Sequence, residues 1–285
     1  MSDFPIVDAH LHLWEPGRLR YPWLASVPLL NKPFLLSDYN RGCGDVKVGK
    51  MVFIQCEADP SQFLDEAEWV TSLARQDNRI GAIVPWAPLE KGSAAQPDLE
   101  KLAANELVKG IRRIIQFEPD PNFCLRPDFV RGVQLLAKFK FSFDICIKGP
   151  QQTANAIQLV RQCPDVKFII DHIGKPFIKG RQLEPWKSQL RQLALIPNVW
   201  CKMSGLVVEA DLTRWTPADL TPYIDHVLDC FGPGRVMFGG DWPVILQASQ
   251  IPRWAAVLQE ALVALTLDER NHLFHDNAMR FYRLN

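Results

Sequence analysis

Residues 166–172 read Val-Lys-Phe-Ile-Ile-Asp-His, residues 199–203 read Val-Trp-Cys-Lys-Met, and residues 236–240 read Val-Met-Phe-Gly-Gly. Each is a short, mostly apolar run that gives way to polar residues or glycine. Apolar side chains at nearly every position mark a strand covered on both faces, as in a parallel sheet flanked by helices. Working outward, the same pattern recurs at 5–10, 49–56, 80–86, 110–115 and 141–147. The eight runs begin roughly 25–45 residues apart, enough for one strand, one helix and two loops in each unit.

Helical periodicity fills the gaps. Phe129, Val130, Val133, Leu136 and Ala137 fall on one stripe, as do Leu220, Ile224, Val227, Leu228 and Phe231. Pro127-Asp128 and Thr216-Pro217 read as helix starts. Eight βα units in series predict an α/β fold, a closed (β/α)8 TIM barrel. The chain has 285 residues, against about 250 for such a barrel, so a single domain over residues 1–285 is expected. No GxGxxG follows the first run and no GxxxxGK[ST] occurs, which leaves a nucleotide-binding open sheet without support. Residues 15–44 form the longest irregular stretch and are read as a loop over the catalytic face. Residues 267–285 are read as a C-terminal helix.

Lys+Arg and Asp+Glu both number 32, so the formal net charge is zero. Neither a nucleic-acid surface nor a polybasic membrane patch is suggested. No run approaches the ~20 apolar residues of a membrane span. Near-neutrality permits a homo-oligomer. The seven cysteines are odd in number and show no CxxC spacing. Cys56, Cys146, Cys163 and Cys201 lie in or beside apolar runs, as buried free thiols of a reducing compartment do. With no basic segment leading into an apolar stretch at the start, a cytoplasmic location is expected.

The chemistry gathers where the runs end. Alternation along a strand places Asp8, His10 and His12 on one face. Two inward imidazoles at i, i+2 can polarise one oxygen or hold one metal ion. His172 closes the sixth run and Asp241 follows the eighth, beside the first on closure of a barrel. A carboxylate among imidazoles suits a general base. The ordinary alternatives are a satisfied structural histidine and a turn-capping aspartate. Further candidates at the same mouth are Gln55, Glu57, Trp86, Arg112, Lys202 and Ser204, with Arg113 turned toward the helices. Trp14, Trp23, Trp86 and Trp242 cluster near strand ends, where an aromatic face suits a sugar ring or simply core packing.

Four segments taken together, V-D-A-H-x-H at 7–12, D-H-x-G-K-P at 171–176, G-G-D-W-P at 239–243 and N-A-x-R-x-Y at 277–282, resemble the amidohydrolase superfamily. The matches span the chain. Within the superfamily the sequence is most similar to the lactonase branch, which includes L-fuconolactone and L-rhamnonolactone hydrolases and 2-pyrone-4,6-dicarboxylate lactonase. His12-Leu13-Trp14, Tyr21-Pro22-Trp23-Leu24, Gly110-Ile111-Arg112-Arg113 and Cys201-Lys202-Met203-Ser204-Gly205 add local likeness.

The resemblance implies a hydrolase that opens a small sugar-acid lactone to its hydroxy acid. His10, His12 and His172 would bind the carbonyl oxygen and Asp241 would serve as base. Lys202, Arg112, Glu57, Gln55, Trp86 and Trp23 would contact substrate. Binuclear members carry a bridging Lys or Glu on strand four and a ligand His on strand five. Here those strands read Gly-Ile-Arg-Arg-Ile-Ile and Phe-Ser-Phe-Asp-Ile-Cys-Ile. No metal is therefore required, and at most one Zn2+ is expected, on His10, His12 and Asp241 with His172 or Glu57. The alternative is a mononuclear zinc decarboxylase of an aromatic or dienoic acid. A non-catalytic sugar-binding barrel is the remaining rival.

Overall fold

Strands form at all eight apolar runs: β1 (Ile6–Leu11), β2 (Val48–Ile54), β3 (Ile80–Val84), β4 (Gly110–Ile111), β5 (Ser142–Ile145), β6 (Lys167–Ile170), β7 (Val199–Met203) and β8 (Val236–Phe238). The structure is a computed structural model and describes residues 5–285. Neighbouring strands pair in parallel and in chain order. β3 meets β4 through Ile83 and Val108, with Ile83 N donating to Leu107 O at 2.7 Å. β8 returns to β1 just past its end: Asp241 N donates to His10 O and His12 N to Trp242 O, each at 2.8 Å. The ring is closed, as expected of a (β/α)8 barrel.

Two apolar layers follow from alternation along the strands. Val7, Ala9, Val52, Ile54, Ala82 and Val84 form the inner cluster with Ile169 and Met237. Leu11, Met51, Phe53, Ile83, Phe143, Phe168 and Phe238 belong to the outer one, under the helices. The helices that follow the strands are α1 (Leu36–Cys43), α2 (Phe63–Ala74), α3 (Gln96–Ala103), α4 (Pro127–Leu135), α5 (Pro150–Gln162), α6 (Trp186–Ala194), the single turn α7 (Leu206–Glu209), α8 (Pro217–Phe231) and α9 (Ile251–Ala261). Helix α8 starts where expected. Pro217 takes the first turn and the Asp219 carboxylate accepts from Thr216 N and Oγ1, both at 2.9 Å.

Three expectations need correction. The stretch 15–44 is not all loop, because α1 occupies its end and carries Tyr39 and Cys43 into the core. β4 leaves the sheet after Ile111, where Arg112 N turns to Pro85 O at 2.9 Å. The C-terminal helix is α10 (Leu267–Asn271) and α11 (Asn277–Tyr282), joined by a wider π-type turn at His272–Asp276. Ala278, Phe281, Tyr282 and Leu284 pack on the lumen residues of the barrel and fill it from below.

All seven cysteines are free thiols. Among the described residues no helix is long and apolar enough to cross a membrane.

One buried acid in the frame has a consequence for stability. Glu66 of α2 is 1% exposed and accepts from Cys56 N at 3.1 Å. Burial pushes its pKa up to about 8. The native state keeps a proton there that the unfolded chain loses near its ordinary 4.5. Stability must therefore fall as pH rises between those values. Glu66→Gln keeps the acceptor and removes the charge. Its melting temperature should gain on the wild type progressively from pH 5 to pH 8. Parallel melting curves across that range would exclude the effect.

Candidate active site at the mouth of the barrel

A bulge in β1 sets the site. Asp8 pairs with Met51 and Leu11 with Phe53, so three steps on β1 face two on β2. Alternation breaks there. Asp8 points to the helices, where it accepts from Tyr39 Oη of α1 at 2.8 Å, and from Gly240 N at 2.7 Å and His10 N at 3.1 Å. Burial lifts its carboxyl to about 6 even with these donors. His10 and His12 point into the mouth. The expectation that Asp8 shares their face is thus corrected: the extra residue in the strand separates them.

His12 Nδ1 donates to Ile54 O at 2.8 Å, which leaves its Nε2 lone pair toward the centre. His12 Nε2 lies 3.1 Å from His10 Nε2. Asp241 Oδ1 faces both, at 3.6 Å and 3.8 Å, and His172 Nε2 at 3.9 Å. His172 is steadied by Ser204 Oγ, 2.9 Å from its Nδ1. Four residues expected to act together therefore meet at one point.

Burial dominates their electrostatics. It brings His172 down to about 4 and lowers His12. It also holds His10 well below the usual histidine range, against the pull of Asp171. All three rings are neutral at pH 7. For Asp241 burial works the other way, but the Lys175 cation, and His172 or His12 whenever either is protonated, favour the anion and keep the carboxyl below its ordinary value. A charged carboxylate thus faces neutral imidazoles.

Two glycines make the approach possible. A Cβ on Gly239 would lie 2.8 Å from His10 Cβ and 3.0 Å from Ser204 Cβ. Gly205, at φ +71°, would put one 2.6 Å from His172 Nδ1.

Below the histidines lies a buried polar layer. Lys202 Nζ donates to Asp144 Oδ2 at 2.6 Å, and lies 3.1 Å from Asp171 Oδ1 and 3.2 Å from His10 Nδ1. Tyr282 Oη, from α11, donates to Asp144 Oδ2 at 2.7 Å. Above lies a cavity of about 430 Å3 that His12, His172, Asp241, Arg112, Glu57 and Trp23 help to line. Trp14 completes its aromatic wall, edge-on to Trp23 with ring centroids 5.3 Å apart.

Three expected substrate contacts are placed elsewhere. Lys202 is fully buried under the histidines, because the Asp144 and Asp171 carboxylates hold it there. Gln55 is also fully buried, and serves Glu57 instead: it accepts from Glu57 N at 2.5 Å and donates to Glu57 Oε1 at 2.7 Å. Trp86 packs on Phe63 and under Arg113, since β3 ends at Val84 and the chain turns away. Arg113 faces the helices as expected, paired with Glu90 and Glu118. Lys175 lines the cavity at φ +50°. In the sequence it stands only inside the D-H-x-G-K-P motif, and the backbone geometry singles it out.

The amidohydrolase family profile matches residues 7–284. The chain belongs to the amidohydrolase family. It is 31% identical to an L-fucono-1,5-lactonase of Burkholderia multivorans, over 98% of this chain and 96% of that one. It is 27% identical to an L-rhamnono-gamma-lactonase of Scheffersomyces stipitis, with both chains fully covered. A crystal structure of an amidohydrolase from Burkholderia multivorans with bound zinc superposes with a TM-score of 0.88 at 29% identity, covering 99% of this chain and all of the other. The resemblance to the lactonase branch is borne out.

The residues present fit one divalent ion. Ligand atoms of His10, His12 and Asp241 lie within 4.8 Å of one another. Their separations of 3.1, 3.6 and 3.8 Å are close to the edges of a tetrahedron with bonds of about 2.0–2.2 Å. His10, Asp171 and His172 also cluster, but the Lys202 ammonium 3.1 Å from Asp171 opposes a cation there.

Gly239→Ala should push His10 out of line. Overpacking of this kind costs about 1–3 kcal/mol. Turnover should fall at least about tenfold while far-UV circular dichroism is retained. Wild-type turnover in this variant would show that His10 is not closely confined.

Proposed function

We propose that this amidohydrolase opens a small sugar-acid lactone, such as L-fucono- or L-rhamnonolactone, to the hydroxy acid. The observation that carries this reading is the Asp241 carboxylate facing three neutral imidazoles at 3.6–3.9 Å on the floor of the cavity. The lactonases among its relatives support the substrate class. An aromatic wall of Trp14 and Trp23 suits the CH face of a sugar ring.

The lactone carbonyl oxygen would accept from His10 and His172, with the His12 Nε2 lone pair beside it. An N–H there is stronger toward the tetrahedral oxyanion than toward the ground-state carbonyl, which lowers the barrier. Asp241 takes a proton from the attacking water as the C–O bond forms. The intermediate collapses, the ring C–O bond breaks, and Asp241 returns its proton to the departing alkoxide. Arg112 lines the cavity and would orient a substrate oxygen. Glu57, held by Gln55, would accept from a ring hydroxyl. A divalent ion, when bound to His10, His12 and Asp241, would supply Lewis acidity toward the carbonyl.

A panel of aldonolactones, followed by acid release with and without a chelator, tests the reading. Turnover of at least one sugar lactone is expected, and it should survive the chelator in part. Carbon dioxide released from an aromatic acid, with no lactone opened, would replace this reading with a decarboxylase.

Asp241→Asn keeps the shape and removes the basic oxygen. Turnover should drop by about 10²–10⁴, chiefly in kcat. His172→Asn should cost on the order of 10²–10³. Full turnover by Asp241→Asn would make that residue a structural cap and leave Glu57 as the next base to test.

Elemental analysis should find no more than one tightly bound metal ion per active chain. Two would contradict the ligand set.

A further inference from the structure

His10 is placed between two mutually exclusive sets of partners. On one side, Nδ1 lies 3.2 Å from the Lys202 ammonium, a donor, and 3.4 Å from Asp171 Oδ1, an acceptor. On the other, Nε2 lies 3.1 Å from His12 Nε2 and 3.4 Å from Arg112 Nη1. The His12 nitrogen is an acceptor, because its Nδ1 proton is committed to Ile54 O. Arg112 can only donate. A neutral imidazole has one N–H, so it satisfies one set at a time. With the proton on Nε2, His10 accepts from Lys202 and donates to His12. With the proton on Nδ1, it donates to Asp171 and accepts from Arg112.

We propose that Lys202 and Asp171 select the tautomer of His10, and so decide whether it offers the site an N–H or a lone pair. The first set has the shorter contacts, 3.2 and 3.1 Å against 3.4 and 3.4 Å. It also leaves Asp171 Oδ1 as a buried acceptor with no aligned hydrogen bond. That oxygen, ion-paired with Lys202 at 3.1 Å but without an aligned hydrogen bond, is the acceptor the second tautomer needs. Without a metal ion, Lys202 holds the proton on Nε2, which bonds His12 until a carbonyl oxygen takes that place. A divalent cation on His12 and Asp241 requires the Nε2 lone pair, and the proton then sits on Nδ1 against Asp171. His10 stays neutral throughout, with one proton lost at one nitrogen and one gained at the other. Lys202 keeps its bond to Asp144 in both states.

Lys202 is thereby a positioning residue, which touches neither substrate nor cation. The inference rests on the reading of His10, His12 and Asp241 as the carbonyl- or cation-binding set. It explains how one set of side chains suits both an oxyanion and a metal ion: the choice lies one layer below them.

Long-range 1H–15N correlation spectra of the histidine rings test it on the full-length protein, with His10→Gln used to assign the signals. Metal-free wild type should show His10 protonated at Nε2, and saturation with Zn2+ should move the proton to Nδ1. In Lys202→Met the proton should be on Nδ1 before any metal is added. Its Zn2+ affinity, by chelator competition, should rise by about 10–100-fold, the usual scale for partners of a metal-binding histidine. Nδ1 protonation in the metal-free wild type would overturn the proposal. So would a Lys202→Met protein that binds Zn2+ more tightly while His10 stays protonated at Nε2, since lost charge repulsion alone would explain it. Should the variant fail to fold, the wild-type spectra with and without Zn2+ decide the matter. No lactone enters either measurement, so failure of the lactone panel and failure here are separate results.

Discussion

The seam between the first and last strands is the constraint on which the rest depends. A parallel barrel must pair the end of its sheet with the beginning, and here the pairing runs through His10 O, His12 N and the backbone of Asp241 and Trp242. The Asp8 carboxylate draws Gly240 N and Tyr39 Oη onto the same strand. Closure and assembly of the site are one event. The bonds that finish the barrel also bring the carboxylate of β8's end to the imidazoles of β1.

Beneath that seam the lumen divides by chemistry. β1, β2, β3, β6 and β8 fill it with aliphatic side chains and alanines. β5 and β7 contribute Asp144 and Lys202, with Asp171 and Arg112 beside them. Burying these charges is costly unless each finds an opposite partner and hydrogen bonds. The network supplies them, and Tyr282 from the C-terminal helix closes its lower side. Such a layer specifies one arrangement more than it stabilises the fold. Removing a single member would strand a buried charge.

The alternation of apolar runs and helical stripes made the barrel legible, because burial on both faces of a strand leaves a plain record in composition. His10, His12, His172 and Asp241 were legible for a related reason: polar residues where apolar runs stop must face the mouth. The bulge in β1 was not legible. Strict alternation put Asp8 with the histidines, and one additional residue sent it to the helices instead. Periodicity also could not tell that Lys202 and Gln55 lie under the site rather than in it, since burial depends on partners from distant strands. Trp86 lies away from the mouth because β3 ends at Val84, two residues before the apolar run does. Lys175 left no signal in residue type, only in its backbone.

That backbone has a consequence for how the protein can change over generations. Glu57, His172, Lys175 and Asp241 all occupy left-handed backbone, at φ between 50° and 54°. Most side chains resist that conformation, with glycine, asparagine and aspartate the usual exceptions. Drift at these four positions is therefore filtered twice, once by what the cavity must bind and once by what the chain can adopt. A β-branched replacement there would carry the same strain that Ile173, between His172 and Lys175, already bears at φ +51°. Inheritance at the rim is narrowed to a few residue types. New substrate preferences in descendants of this protein would then arise from the walls of the cavity, at Trp14 or Trp23, more readily than from the rim itself.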